Sequence, residues 1–272
     1  MTALLSWMDK GFDFLFRLLR VLPPFAVLAV FSAATAVLAL VVVRWTSDQQ
    51  AIRRVKDRIG AHVLEVRLFP DQLRVVLRAY LSLFGHTLLY LRYSLRPLLF
   101  MTLPLLLLFV QLEGYFGRAA APVDRDFLLR VILRQADALP EVSLRLPPGL
   151  VQQAPPVRIA AEREVDWRLR AEQPGVSEIL LRAGDSEATK RIVAGDEFTR
   201  ITPVRESGGL WARMLNPGEA SLPAGGAVER MEIEYPARVF HLWGWEVDWL
   251  VPYLALTLLA ALLLKGVFGT EL

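Results

Sequence analysis

The 272-residue chain has no cysteine and only three histidines, His62, His86 and His241. The lack of cysteine excludes disulfides, iron–sulfur clusters, thiolate-bound zinc and thiol catalysis. The first two histidines fall on separate predicted helices and the third precedes an apolar run, so the three do not form a converging set of metal ligands. We therefore expect no metal ion and no other cofactor.

Recognisable catalytic motifs are also missing. The chain has no Gly-x-Ser-x-Gly elbow, no Walker lysine loop, no Gly-x-Gly-x-x-Gly and no His-Glu-x-x-His. The acidic pairs Asp124 with Asp126 and Glu162 with Glu164 are more typical of solvated strand faces than of acid–base catalysis. The sequence therefore predicts a protein that is not an enzyme.

Long apolar runs, by contrast, are abundant. Hydrophobic residues make up 54% of the chain, and the mean hydropathy is +0.38. Three runs, at residues 21–43, 97–116 and 249–268, are almost purely apolar. Since a helix needs about 20 such residues to cross the hydrocarbon core of a bilayer, the runs predict three transmembrane helices and an integral membrane protein.

The overall charge excess of +3 hides two opposite regions. Residues 44–96 carry ten basic and four acidic residues, a net +6, whereas residues 113–249 carry 17 basic and 21 acidic residues, a net −4. The positive-inside rule then places the 44–96 segment in the cytoplasm and the segment after the second span outside. The N-terminus is expected outside and the C-terminus inside.

Residues 44–96 show two apolar stripes at helical spacing and predict an antiparallel helical hairpin. Ser47 to Gln50 fits a capping box at its start, and Pro70 breaks the pattern between the helices. The stripes are Ile52, Val55, Ile59, Val63 and Val66, then Leu73, Leu77, Tyr80, Phe84, Leu88, Leu91 and Leu95, and we expect them to bury each other as in a coiled coil. Residues 79–95 are apolar on most faces, so they enter the membrane interface or pack on another protein. The basic residues form a solvated face, or they contact anionic lipid headgroups or ribosomal RNA phosphates.

Residues 117–240 have short alternating runs separated by Pro and Gly, which predict an external immunoglobulin-like β-sandwich inserted between two spans. Val165, Trp167, Leu169 and Ala171 alternate with polar residues, and Trp167 is expected in a central strand. Contact with the membrane surface is expected from a patch at Leu210, Trp211 and Met214 and from the aromatic belt Trp243, Trp245 and Trp249. For the patch, a partner's groove or a loop packed across an open end of the sandwich are the alternatives.

Residues 1–20 predict an amphipathic helix lying in the membrane interface, or an extension packed on other subunits. The complete order of elements resembles the core of the YidC-type insertase superfamily, which includes small archaeal three-span proteins and a core subunit of the endoplasmic-reticulum membrane protein complex. The resemblance covers residues 21–116 and 249–268 and rests on the topology and the paired helices. Residues 46–56, Thr-Ser-Asp-Gln-Gln-Ala-Ile-Arg-Arg-Val-Lys, are similar to the hairpin opening of an uncharacterised bacterial branch. The chain departs from the family by carrying its sandwich between the second and third core spans.

The resemblance implies a membrane-protein insertase or chaperone with a cytoplasm-open groove, which shortens the path that a hydrophilic segment crosses through hydrocarbon. Its candidate groove residues here are Arg92, Arg96, Arg44, Gln111, Thr35 and Ser32; ordinary snorkelling is the alternative for the arginines. The implied partners are membrane lipids and nascent or client membrane proteins, with the ribosome or other membrane subunits as further candidates and no DNA. The implied location is the bacterial cytoplasmic (inner) membrane, with the β domain in the periplasm. The alternative function is a structural or interaction subunit whose sandwich binds a partner.

Overall fold

The computed structural model describes residues 2–46, 49–68, 72–134, 141–242 and 244–268. Its helices are α1 (Thr2–Leu19), α2 (Pro24–Thr46), α3 (Gln49–Leu68), α4 (Leu73–Phe116), α5 (Leu210–Leu215) and α6 (Leu250–Phe268). Its strands are β1 (Asp126–Leu133), β2 (Val142–Arg145), β3 (Leu150–Gln152), β4 (Val157–Ile159), β5 (Glu164–Ala171), β6 (Gly175–Ala183), β7 (Ser186–Ala194), β8 (Val204–Glu206), β9 (Val228–Ile233), β10 (Val239–Leu242) and β11 (Trp245–Asp248). The predicted capping residues Ser47 and Asp48 and the turn at Pro70 lie outside the described residues.

Three helices are long and apolar enough to cross a membrane, as the apolar runs predict. They are Pro24–Thr46, Val76–Phe116 and Leu250–Phe268. Pro24 opens the first of them, at a position where a missing backbone N–H costs no helical hydrogen bond. The second passes through Pro97 and Pro104 without ending, so the expected division between residues 96 and 97 is not a helix boundary. The second helix of the predicted hairpin and the second apolar run therefore form one continuous helix, α4.

The chain divides into two compact units. One, here called the β unit, comprises Met1–Phe25 and Leu107–Leu250, and the other, the hairpin unit, comprises Ala26–Leu106 and Val251–Leu272. The β unit therefore holds α1, the last turns of α4 and all of the strands. The hairpin unit holds all of α3 and most of each of the helices α2, α4 and α6.

Two antiparallel sheets share the apolar core of the β unit. One sheet has the order β3-β5-β1-β9-β8, with β4 also paired to β5, and the other has the order β2-β6-β7. Ala183 pairs with Ser186 across a two-residue loop, and Gly184 in that loop has a φ of 56°, a conformation that favours glycine. A separate hairpin of β10 and β11 ends at Asp248, so strand structure continues beyond the expected limit at residue 240.

The alternating pattern at residues 165–171 is confirmed, because Val165, Trp167, Leu169 and Ala171 are all buried on β5. The sequence analysis missed β1, which lies centrally between β5 and β9. Its residues are apolar at six of eight positions, so it shows little of the alternation that marks a half-buried strand. The immunoglobulin-like topology stays a prediction.

Lys190 is a charged residue in the interior of the β unit and has no exposed surface. Its Nζ lies 2.8 Å from Glu219 Oε1 and also donates to the carbonyl oxygen of Thr202. Burial lowers the pKa of Lys190, although the Glu219 carboxylate acts in the opposite direction. Since a buried ammonium needs a partner to offset lost hydration, the pair fixes the 217–220 turn against β7.

Candidate functional site

The hairpin helices α3 and α4 meet on a face of α4 that carries small and polar side chains. The ring centroids of His62 and His86 lie 5.3 Å apart. The Lys56 ammonium lies 5.9 Å from the centroid of the Tyr90 ring, within the range of a cation–π contact. Ala79 lies seven residues before His86, which places it on the same helical face, and it is buried.

The leucine-rich stripe of α4 faces outward instead of closing the hairpin. Leu81 is 68% exposed, and the other exposed members of this surface, here called the α4 stripe, are Leu77, Tyr80, Phe84, Leu88, Leu91 and Leu95. The prediction that the two apolar stripes bury each other is therefore wrong. Among the stripe residues of α3 whose side chains the structure describes, Val55 is fully buried, Ile59 and Val66 are half-buried and Val63 is exposed. The side of α3 that contacts α4 carries His62 and Lys56. These polar side chains lie against the rings of His86 and Tyr90 on α4, and not against its leucines.

The α4 stripe continues into the apolar run of the same helix. Leu98 and Leu99 lie three and four residues after Leu95, Leu106 lies seven residues after Leu99, and all three are also exposed. The part of α4 that contains the candidate span, Val76–Phe116, is 41 residues long, which corresponds to about 62 Å at ~1.5 Å per residue. The hydrocarbon core of a bilayer is only about 30 Å thick. The helix is thus about twice as long as one crossing needs.

Four arginines follow one edge of the α4 stripe. With about 100° between successive helical residues, Arg74, Arg78, Arg92 and Arg96 project to the same side of it, and all four are exposed. Arg44, near the end of α2, is exposed as well. The three arginines predicted for the groove therefore lie on the surface of the hairpin unit, two of them beside the exposed leucines.

The predicted polar wall residues Ser32 and Thr35 are buried and bonded to one tyrosine of α6. The Tyr253 hydroxyl donates to Thr35 Oγ1 at 2.9 Å, and Ser32 Oγ donates to the carbonyl oxygen of Tyr253 at 3.2 Å. Thr35 Oγ1 also donates to the carbonyl oxygen of Phe31 at 2.8 Å. These hydroxyls join α2 to α6, a common use of small polar residues between membrane helices, and they do not line an open groove.

Gln111, the remaining groove candidate, is buried and belongs to a polar cluster of the β unit. Its Nε2 donates to Asp9 Oδ1 at 2.8 Å, and the hydroxyl of Tyr115 donates to Asp13. Arg200, with 3% of its side chain exposed, places Nε 3.0 Å from Asp13 Oδ1 and Nη1 3.3 Å from Asp9 Oδ1. We call these five residues the Arg200 cluster. It binds one face of α1 to the end of α4 and to the loop that carries Arg200.

Electrostatics within the Arg200 cluster keep the guanidinium charged. Burial alone lowers the pKa of Arg200, but the interaction with Tyr115 and the carboxylates of Asp13 and Asp9 outweigh it, so the pKa is raised. Asp9 and Asp13 stand four residues apart on α1 and so face the same way. Two acidic residues on one face of α1 were a signal for a cation that packs on that face, and the sequence prediction did not include it.

The aromatic residues predicted to contact the membrane surface have different environments. Trp249 is 2% exposed and its Nε1 donates to Glu113 Oε2 at 2.9 Å, so it is an internal residue of the β unit and not a surface contact. Trp245 is 76% exposed, and Met214 is half-buried. The side chains of Leu210 and Trp211, and all of Trp243, lie outside the described residues.

Within the described part of the chain, no group of three or more His, Asp or Glu residues could hold a metal ion. Comparison with protein-family models, with curated proteins and with solved structures finds no match for this chain. The arrangement that stands out in the hairpin unit is an exposed apolar stripe bordered by arginines.

Proposed function

We propose that the chain is a membrane-protein insertase or chaperone that receives apolar segments of client proteins on the α4 stripe. The observation that carries the proposal is the exposed apolar surface that runs along one helix from Leu77 to Leu106, with Thr102 as a polar residue within it. Exposed apolar patches of this length are rare on surfaces that face water and mark contact sites for lipid or protein. A client helix placed along the stripe would remain in apolar contact from the hairpin into the bilayer.

The topology that fits this function has the hairpin in the cytoplasm of a bacterial inner membrane and the β domain, with an immunoglobulin-like fold, in the periplasm. The support is the net charge of +6 on residues 44–96, which favours the cytoplasmic side. The resemblance to YidC-type insertases in the order of spans and hairpin agrees with this assignment. No covalent chemistry and no cofactor are required.

The arginines beside the α4 stripe have a role in this proposal. Arg92 and Arg96 lie near the point where the stripe approaches the span, and both are exposed. A guanidinium there attracts the acidic or polar residues that flank a client's apolar segment, while the leucines cover the segment itself. Such a contact lowers the several kcal/mol that each polar group costs on entering hydrocarbon.

The lack of cysteine permits a direct test by single-cysteine cross-linking. Phe84→Cys on the α4 stripe should cross-link to a ribosome-bound nascent chain that carries an apolar segment. Ala61→Cys, exposed on α3 away from the stripe, is the matched control and should not. Equal cross-linking at both positions would remove the proposed contact. The same two variants, labelled with a membrane-impermeant maleimide, report on which side the hairpin lies.

Activity is tested in proteoliposomes that contain only this protein and a single-span client with a short translocated tail. The triple variant Leu81→Gln, Phe84→Gln and Leu88→Gln should lose insertion, and Arg92→Glu should reduce it. The control is Leu64→Gln with Leu68→Gln, which makes the same chemical change at exposed positions of α3. If wild-type protein gives no gain over empty liposomes, the insertase assignment is refuted for that client.

The second candidate is an interaction subunit of a membrane complex, in which a permanent partner covers the α4 stripe or the β domain. The same exposed leucines favour it, because an obligate interface is also apolar. Purification in mild detergent then yields a stoichiometric partner. Monodisperse monomer that inserts clients favours the insertase.

A further inference from the structure

A cavity of about 320 Å³ opens in the β unit beside the Arg200 cluster. Its walls come from the end of α1, from Tyr115 on α4, from Arg191 on β7 and from the loop at residues 197–200. Phe16 forms part of it and stacks on Tyr115, with ring centroids 3.5 Å apart. The volume lies in the range typical of small-molecule sites.

The charge of this cavity is predominantly positive. Four arginines line it, Arg17, Arg20, Arg191 and Arg200, against two carboxylates, Asp13 and Glu197. Arg200 is held by Asp13 in the Arg200 cluster, and Arg191 donates to the carbonyl oxygen of Arg200 at 2.7 Å. Arg20 pairs with Glu197 at 2.7 Å, at the exposed side of the cavity. Among the residues that the structure describes, Arg17 has no ion pair.

The helix that forms one wall of the cavity also presents an apolar face away from it. Trp7, Phe14 and Leu18 recur at steps of seven and four residues on the opposite side of α1 from Asp9 and Asp13, and all three are exposed. Arg20 stands four residues before α2, one of the helices able to span a membrane. An exposed apolar helix face beside a basic cavity, close in sequence to a span, is the arrangement expected where lipid headgroups meet protein.

We infer that this cavity binds the phosphate group of an anionic phospholipid. Arg17 and Arg20 supply the donors to the phosphate oxygens, with charge-assisted bonds that guanidinium groups form in pairs. Arg17 projects about 60° around the helix from Phe14, so the acyl chains pass Arg17 to reach the apolar face of α1. Glu197 competes with the phosphate for Arg20 and yields when the lipid binds. The inference rests on membrane insertion but not on the insertase activity.

The test is lipid binding to the whole protein in a non-ionic detergent, measured by native mass spectrometry and by the shift in Tm. Phosphatidylglycerol should bind and raise Tm, whereas phosphatidylcholine should do so weakly because its trimethylammonium group opposes the arginines. The double variant Arg17→Gln with Arg20→Gln should bind phosphatidylglycerol about 100-fold more weakly, at roughly tenfold for each charge-assisted bond lost. Glu197→Gln should bind it more tightly than wild type, because Arg20 is then free.

The control is Arg145→Gln with Arg213→Gln, two arginines of the β unit outside the cavity, which should leave binding within twofold of wild type. A second arm adds inorganic phosphate at millimolar concentration; if it alone displaces the lipid and reproduces the Tm shift, the site serves a soluble phosphate and the lipid assignment is overturned. Retained affinity in the Arg17 and Arg20 variant, or weaker binding in Glu197→Gln, refutes the site itself. Liposome flotation of each variant separates loss of this site from failure to insert.

Discussion

The two units use the same residue types in opposite ways. In the hairpin unit, leucines are exposed along α4 and Arg92 lies on the surface beside them. In the β unit, leucines fill the core between the sheets, and Arg200 is buried against two carboxylates. A surface with exposed apolar groups is suited to contact with other molecules. Few buried contacts hold such a region, so it unfolds locally at a lower free energy than a packed core does.

The two units also differ in how their charged and apolar side chains contribute to the free energy of unfolding. A buried ion pair contributes little net stability when complete, but breaking it by removing one partner leaves an uncompensated charge. An exposed leucine contributes little to folding because it is not removed from water. Substitutions in the two units should therefore separate stability from function.

The largest effect on stability is expected for Arg200→Ala. It leaves the Asp9 and Asp13 carboxylates, which are 17% and 42% exposed, without their cation. Breaking a fully buried pair costs about 3–5 kcal/mol, and water at the two carboxylates reduces the expected loss to about 2–3 kcal/mol. Thermal unfolding in detergent measures the loss, and protease sensitivity of α1 reports its release. The triple variant Arg200→Met, Asp9→Asn and Asp13→Asn removes every charge together and should recover most of the stability. A triple variant as unstable as Arg200→Ala would contradict the ion-pair account.

A smaller effect is expected for Trp249→Phe. This change removes the Nε1 donor to the Glu113 carboxylate and part of a buried ring system that also touches Phe116. The combined loss should be about 2 kcal/mol, measured as the decrease in thermal stability. Trp245→Phe is the matched control, because that side chain is exposed and its truncation should change stability by less than about 0.5 kcal/mol. Equal effects at the two tryptophans would mean that Trp249 is a surface residue after all.

A still smaller effect is expected for Tyr253→Phe within the hairpin unit. The substitution removes the hydroxyl that donates to Thr35 but keeps the ring. Hydrogen bonds between membrane helices are worth about 0.6 kcal/mol on average, so the midpoint of unfolding should fall slightly. Thr35→Val in the same background should add only the loss of the Thr35 bond to the Phe31 carbonyl oxygen, since the bond to Tyr253 is already broken. If Thr35→Val costs as much in the Tyr253→Phe background as in the wild type, the bond between the two hydroxyls contributes no stability.

Composition and periodicity were sufficient for the coarse fold. Three apolar runs predicted three helices of membrane-spanning length, and alternation predicted β5 with its buried Trp167. Both features are local properties of the sequence, so they can be read without knowing which segments meet. The sequence alternation failed for β1 because its less buried face also carries apolar residues, Leu128 and Ile132, although the burial of the strand does alternate.

Contacts between distant segments could not be read in the same way. Ser32 and Thr35 looked like isolated polar residues in a span, and their partner Tyr253 is more than 200 residues away. Arg200 resembled any surface arginine until α1 brought Asp9 and Asp13 to it. The leucine stripe of α4 was expected to be buried against α3. This expectation failed because hydrophobicity alone does not determine which face of α4 contacts its partner helix; the contact face also depends on the side chains of α3.

The smallest effect on stability, and the sharpest contrast between the units, is expected for Leu88→Gln. Leu88 is exposed on the α4 stripe, so replacing it should change the free energy of unfolding by less than about 0.5 kcal/mol. Leu129→Gln, the same substitution at a fully buried position of β1, should cost several kcal/mol, because it creates a poor fit and buries an amide without partners. Thermal unfolding of the two variants measures this difference. Cross-linking from Phe84→Cys to a nascent client should fall in the Leu88→Gln background while Tm is unchanged. A marked loss of Tm would mean instead that another part of the protein covers the stripe, and its availability to clients would then be disproved.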